Sequence, residues 1–190
     1  MKSFIITVKI FLFFTVLTGI IYPFLITGFA QLFYTRKANG SLITMDNKTI
    51  GSELIGQQFD TNIYFISRPS ATAYNLLPSG GSNYGLTNAK LKNQVYERKK
   101  QFIIFNKLDS LAEIPSEMLF ASASGLDPHI SPKAAYLQVE RIVQARNFND
   151  DQKLRLEQLI KNQTEAPQFL CPGGERVNVL LLNLETDKIK

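Results

Sequence analysis

The chain's only histidine, His129, follows Asp127 by two residues in the stretch "GLDPHISP", residues 125–132. Imidazole titrates near neutral pH and a nearby carboxylate can fix its tautomer, so the pair has the makings of a general acid/base couple. Catalysis would also need a nucleophile or bound substrate beside it, and a single histidine excludes a two-histidine metal site. The same residues have a full structural explanation. Asp127-Pro128 starts a turn whose carboxylate accepts backbone N–H groups, and Ser131-Pro132 is a helix N-cap followed by proline at the first helical position. No CxxC, HExxH or GxSxG signature occurs, and no metal ligands are expected.

A second stretch with chemical potential is "LPSGGSN", residues 77–83, where Ser79, Gly80, Gly81, Ser82 and Asn83 are the candidate ligand contacts. Successive glycines let backbone N–H groups converge on an anion, and the flanking serines can donate further hydrogen bonds. Tyr74 or Tyr84 could stack on a base while Arg68 pairs with a phosphate. No P-loop lysine follows, so this is not a Walker A motif. By residue type alone a double glycine reads first as a plain turn.

The elements that hold these residues begin with an anchor. The run "IFLFFTVLTGIIYPFLITGFAQLF" contains no charged residue and is long enough to cross a hydrocarbon core of about 30 Å. The expected organisation is a short N-terminal segment over residues 1–9, a transmembrane helix over 10–34 and a soluble domain over 35–190. A cleaved signal peptide ending near Gly28-Phe29-Ala30 is the rival, but signal h-regions are shorter, about 7 to 15 residues. Thr15, Gly19, Pro23 and Thr27 recur every fourth residue, which places small side chains on one side of the helix as a ridge for a second membrane helix. The plainer alternative is that Thr and Gly are common in such helices and Pro23 merely kinks this one. Lys2 and Lys9 before the run are matched by Arg36 and Lys37 after it, so flanking charge does not fix orientation.

Of 190 residues, 45% are hydrophobic and 11% aromatic, enough for one compact domain beyond the anchor. The net charge of +5 is small and part of it sits at the N-terminus on Lys2 and Lys9, which excludes a typical nucleic-acid binder. The single cysteine, Cys171, precludes an internal disulfide.

In the soluble part, Leu42-Ile43 and Leu54-Ile55 read as short strands or a stalk, and residues 64–88 as a long loop whose aromatic content argues against disorder. A helix capped by Thr87 or Asn88 is expected to run to Asn106, with Leu91, Val95, Phe102 and Phe105 on its apolar face. Lys90, Lys92, Arg98, Lys99 and Lys100 fall on the other side and read as a solvated face. Ala135, Val139, Ile142 and Val143 form the apolar stripe of the helix after Ser131. Another helix starts at Asn149, where Gln152 completes a capping box. After the break "APQFLCPGGE", the run "RVNVLLLNL" is apolar on both alternations and reads as a central buried strand. The fold class is a small mixed α/β (α+β) soluble domain on one N-terminal transmembrane helix.

The segments "IGQQF", "YFISRPSATAYN", "SGGSN", "ASASGLDPHISPKAA" and "RVNVLLLNL", in this order after one membrane span, resemble the C subunits of the Kdp potassium-transporting ATPase. The resemblance covers nearly the whole chain. It implies a single-pass protein of the bacterial inner membrane, with its soluble domain outside the cytoplasm, that acts as a non-catalytic accessory subunit of a high-affinity potassium pump. Its implied partners are a channel-like potassium-binding subunit, a P-type ATPase subunit and membrane lipid. The implied role is assembly of the complex, together with action as a catalytic chaperone that raises the ATP affinity of the ATPase subunit. By the same resemblance Ser79, Gly80, Gly81, Ser82 and Asn83 are the nucleotide candidates, with no cofactor bound tightly and ATP reached through the complex. An outside domain would not meet cytoplasmic ATP, which favours a structural role. Two departures from the family pattern are the residues before Val177 and Glu117 in place of an aspartate. The competing function class is a membrane-anchored extracytoplasmic enzyme built on Asp127 and His129.

Overall fold

The computed structural model describes residues 1–167 and 173–189. Cys171 and part of the break expected before Arg176 fall at residues 168–172, outside the described residues. The chain divides into two compact units, Met1–Ile50 and Gly51–Lys190.

The first unit opens with a continuous helix of 32 residues from Lys2 to Phe33, about 48 Å at the usual rise. It comprises α1 (Lys2–Val16), a π-helical turn (Leu17–Ile21) and α2 (Tyr22–Phe33). The π turn sits just ahead of Pro23, whose ring lacks an N–H and crowds the carbonyl four residues back. Widening that turn, with the Tyr22 N–H reaching the Leu17 carbonyl, carries the helix past the proline. The helix already includes the residues before Ile10, so Lys2 and Lys9 lie on it. None of its side chains is buried, and its mean hydropathy reaches 2.4. A helix that is apolar all round and has no protein around it has the character of a bilayer span. The short α3 (Thr35–Ala38) follows, and then a hairpin of β1 (Leu42–Met45) and β2 (Lys48–Ser52). Its turn places both Asp46 and Asn47 at positive φ, the geometry of a tight hairpin loop. Of the two apolar groups expected as strands, Leu42-Ile43 is one, whereas Leu54-Ile55 lies in a turn, where Ser52 Oγ accepts the Leu54 N–H at 3.1 Å.

The second unit contains α4 (Ala89–Asn106), a 3-10 turn (Ser116–Met118), β3 (His129–Ile130), α5 (Pro132–Arg146), α6 (Asp150–Gln163), β4 (Val177–Asn178) and α7 (Val179–Thr186). The three longer helices begin where side-chain oxygens replace missing backbone acceptors. Asn88 accepts from Lys90, Ser131 from Ala134, and Asn149 forms the full capping box with Gln152. Strands β3 and β4 pair antiparallel, His129 opposite Asn178 and Ile130 opposite Val177. The core beneath them is built from Phe65, Ile130, Ile142, Leu156, Ile160 and Leu182, all at most 2% exposed.

The run "RVNVLLLNL" departs from the expected central strand. Arg176 bridges to Glu165, only Val177 and Asn178 form a strand, and Asn178 then caps α7 by accepting the Leu181 N–H at 3.2 Å. A two-residue strand that flips into an eight-residue helix presents apolar side chains on every side just as a buried strand does, so periodicity could not separate them. Arg98 also departs from the solvated face assigned to it: it is half-buried, and one guanidinium nitrogen donates to the Leu119 carbonyl at 3.0 Å.

The long segment before α4 forms no helix or strand, yet Phe65 within it is fully buried. Amide side chains take the place of a neighbouring strand. Asn183 accepts the Phe65 N–H at 2.7 Å and donates back to its carbonyl at 2.9 Å. Gln138 treats Ile66 the same way, at 2.8 and 3.4 Å. Arg141, 3% exposed, reaches the carbonyls of Asn62 and Tyr64 and the side chains of Asn106 and Gln138. Burial lowers the Arg141 pKa to about 10, so the guanidinium keeps its charge at neutral pH.

Candidate functional site

The stretch 125–132 is fastened from several sides. The Gly56 N–H donates to the Leu126 carbonyl at 2.7 Å, and the Val179 N–H donates to the Pro128 carbonyl at 2.9 Å. A β-carbon on Gly56 would lie 2.6 Å from the Asp127 carbonyl oxygen, so the two backbones touch where only glycine fits. Asp127 uses both carboxylate oxygens within the fold. Oδ2 accepts from the Arg68 guanidinium at 2.6 Å, and Oδ1 accepts the His129 backbone N–H at 3.0 Å, with His129 Nδ1 at 3.5 Å. Burial opposes ionisation of this carboxyl, but the His129 and Arg68 hydrogen bonds win and hold its pKa down to about 2. Asp127 is therefore a fixed anion that locks a turn.

His129 lies on the two-residue β3 opposite Asn178, and its backbone N–H is held by Asp127 Oδ1. Ser131 caps α5, and its own N–H is accepted by Glu117 Oε1 at 3.3 Å. The Glu117 side chain thus serves as an acceptor for a backbone N–H of the same turn. Among the described residues no group of three or more potential metal ligands comes together.

The glycine loop packs against this turn. The Gly80 N–H donates to the Ser124 carbonyl at 3.0 Å, and a β-carbon on Gly81 would meet the Ala123 carbonyl oxygen at 3.2 Å. Gly125, at φ +71°, leaves no room for a side chain, which would meet Thr72 Oγ1 at 2.7 Å and the Gly80 carbonyl at 3.0 Å. One N–H of the glycine pair is thus directed at protein rather than at an open anion nest. Ser79 and Asn83 are exposed, and Gly80, Gly81 and Ser82 are half-buried.

Two residues expected beside a nucleotide are otherwise occupied. Arg68 holds Asp127, and the Tyr74 hydroxyl donates to the Arg68 carbonyl. Burial, more than the nearby Asp127 and Asp60 charges, pushes the Tyr74 phenol up to about 12, so it stays a donor at neutral pH. Sequence patterns brought Asp127, His129 and the glycine loop into view, and the fold sets the loop and the turn side by side. They did not reveal the clasp of Gln138, Arg141 and Asn183. Its available signal was a polar residue breaking the apolar face of α5 at positions 138 and 141, and again within "LLLNL".

Comparison with known proteins agrees with this architecture. The family model described as "K+-transporting ATPase, c chain" matches residues 4–188. A protein of Caldanaerobacter subterraneus named potassium-transporting ATPase KdpC subunit is 44% identical over 94% of this chain and 91% of its own length. Proteins of the same name are 42% identical in Leptospira interrogans, over 96% of this chain and 92% of theirs, and 46% identical in Methylococcus capsulatus, over 93% and 92%. With the family model spanning nearly every residue, the chain belongs to the KdpC family, the C subunits of the potassium-transporting ATPase.

Proposed function

We propose that the chain works as a non-catalytic accessory subunit, anchored in the inner membrane with its soluble domain outside the cytoplasm, that assembles and stabilises the potassium pump. The observation that carries this reading is the family match from residue 4 to residue 188, which takes in both the anchor and the domain. The binding of Asp127 to Arg68 and to the His129 backbone N–H supports it against the enzyme reading, since it gives this carboxylate a complete structural role in locking the turn. Its partners are the channel-like potassium-binding subunit and the P-type ATPase subunit, and Thr15, Gly19, Pro23 and Thr27 form the ridge that packs on a neighbouring membrane helix. The domain binds no cofactor tightly. It raises the ATPase subunit's affinity for ATP through the assembled complex.

Affinity purification of the tagged chain from its native membrane tests this reading. The pump's two large subunits should co-purify in fixed ratio, and Gly19→Leu should reduce their recovery several-fold. A monodisperse chain that retains neither subunit would overturn the proposal. Sidedness is read by a cysteine at position 79 and a membrane-impermeant thiol reagent: labelling in intact cells supports the outside placement, and labelling only after permeabilisation refutes it.

A further inference from the structure

A cleft of about 520 Å³ opens between the extended segment around residues 58–74 and the α4 face bearing Arg98, Phe102 and Phe105, with Met118 in its wall. The volume is in the range of small-molecule sites. Its polar lining is incompletely satisfied. Ser67, 8% exposed, places a buried hydroxyl there with no hydrogen-bond partner, and Arg68 Nε is buried beside it, also without one. Ser67 lies near enough to the Tyr74 phenol to oppose the rise that burial imposes on its pKa, yet forms no hydrogen bond of normal geometry.

Arg98 supplies the charge. Among the described residues its guanidinium bonds only the Leu119 carbonyl and has no carboxylate partner. Burial alone lowers its pKa, with no compensating anion acting on it. The other charges at the cleft are spoken for. Arg68 is neutralised by Asp127, and Asp60 is an exposed rim carboxylate that accepts both bonds from the Gln58 amide at 2.9 and 3.1 Å. A partly desolvated cation without a counterion, next to unsatisfied donors and aromatic walls, is arranged for an anion.

We infer that the cleft is a binding site for a small monoanion with an apolar body, a carboxylate or phosphodiester whose oxygens meet Arg98 and Ser67 while its apolar part lies on Phe102 and Phe105. Of the cations that line the cleft only Arg98 is uncompensated, which suits a monoanion and is too little for a triphosphate. The inference stands whether or not the chain acts as an accessory subunit. The two natural sources of this chemistry are a free organic acid and the headgroup of an anionic phospholipid.

The test uses the full chain in a neutral maltoside detergent and fluorine NMR of 4-(trifluoromethyl)benzoate, with 4-(trifluoromethyl)benzyl alcohol as the uncharged counterpart. The benzoate should bind saturably to the wild type and the alcohol should only partition into micelles. Arg98→Gln should weaken the benzoate by about ten-fold or more, as expected for loss of a charged hydrogen bond. Ser67→Ala removes a hydroxyl whose polar neighbour, the Tyr74 phenol, is already bonded to the Arg68 carbonyl, so it should change the melting temperature little while weakening the probe about three-fold. Displacement by dihexanoyl phosphatidylglycerol assigns the site to a lipid headgroup, and displacement by octanoate alone assigns it to a free acid. Equal benzoate binding by wild type, Arg98→Gln and Ser67→Ala, or equal binding of the alcohol, overturns the inference.

Discussion

Replacing Asp127 with asparagine removes the charge that holds Arg68 while leaving an amide oxygen for the His129 N–H. The native carboxyl sits at about 2 against an ordinary 3.8, and a tenfold change in acidity corresponds to about 1.4 kcal/mol. Its contribution at neutral pH is therefore about 2 kcal/mol, kept modest because the side chain is 28% exposed and partly screened. For a chain of this size that is a fall in melting temperature of roughly 4–8 °C. The folded pKa is depressed, so the stabilisation is complete above the unfolded value near 3.8 and is lost as pH falls through it toward about 2. Thermal unfolding of the detergent-solubilised chain, followed by near-ultraviolet circular dichroism of its tyrosines, should show a constant gap between wild type and Asp127→Asn from pH 7 to pH 5. That gap should then close by pH 2. Equal melting temperatures at pH 7, or a gap independent of pH, would refute the assignment of Asp127 as a structural anion.

Arg141→Met should cost about 3 kcal/mol or more in urea unfolding, because the carbonyls of Asn62 and Tyr64 and the Asn106 oxygen lose their donor in the interior; a loss under about 1 kcal/mol would show that water replaces the guanidinium. Gly125→Ala combines a positive φ with close approach to Thr72 and Gly80, and should destabilise by about 1–3 kcal/mol. An unchanged urea midpoint would mean that the glycine loop and the turn are not rigidly apposed.

Much of the helical framework was legible because capping is local chemistry. Asn88, Ser131 and Asn149 each carry their signal within three residues, and the amphipathic stripe of α5 follows directly from its spacing. The last apolar run was not legible in that way, since a short stretch buried on all sides looks the same as strand or helix. Asn178, an N-cap residue ahead of four leucines, was the overlooked cue. The clasp around residues 62–66 was illegible for a different reason: Asn183 lies 118 residues from the backbone it satisfies, and Gln138 lies 72 away. At the candidate site, residue types showed that Asp127 could accept backbone N–H groups. That Arg68 would fill its other oxygen depended on tertiary contact across 59 residues.

Potassium-stimulated ATP hydrolysis by the pump, reconstituted with and without this chain, tests the accessory role most directly. Omitting the chain should raise the ATP concentration for half-maximal turnover and reduce recovery of intact complex, and adding back either wild type or His129→Ala should restore both. Unchanged ATP dependence without the chain, or a loss of turnover of several orders of magnitude with His129→Ala in an intact complex, would contradict it.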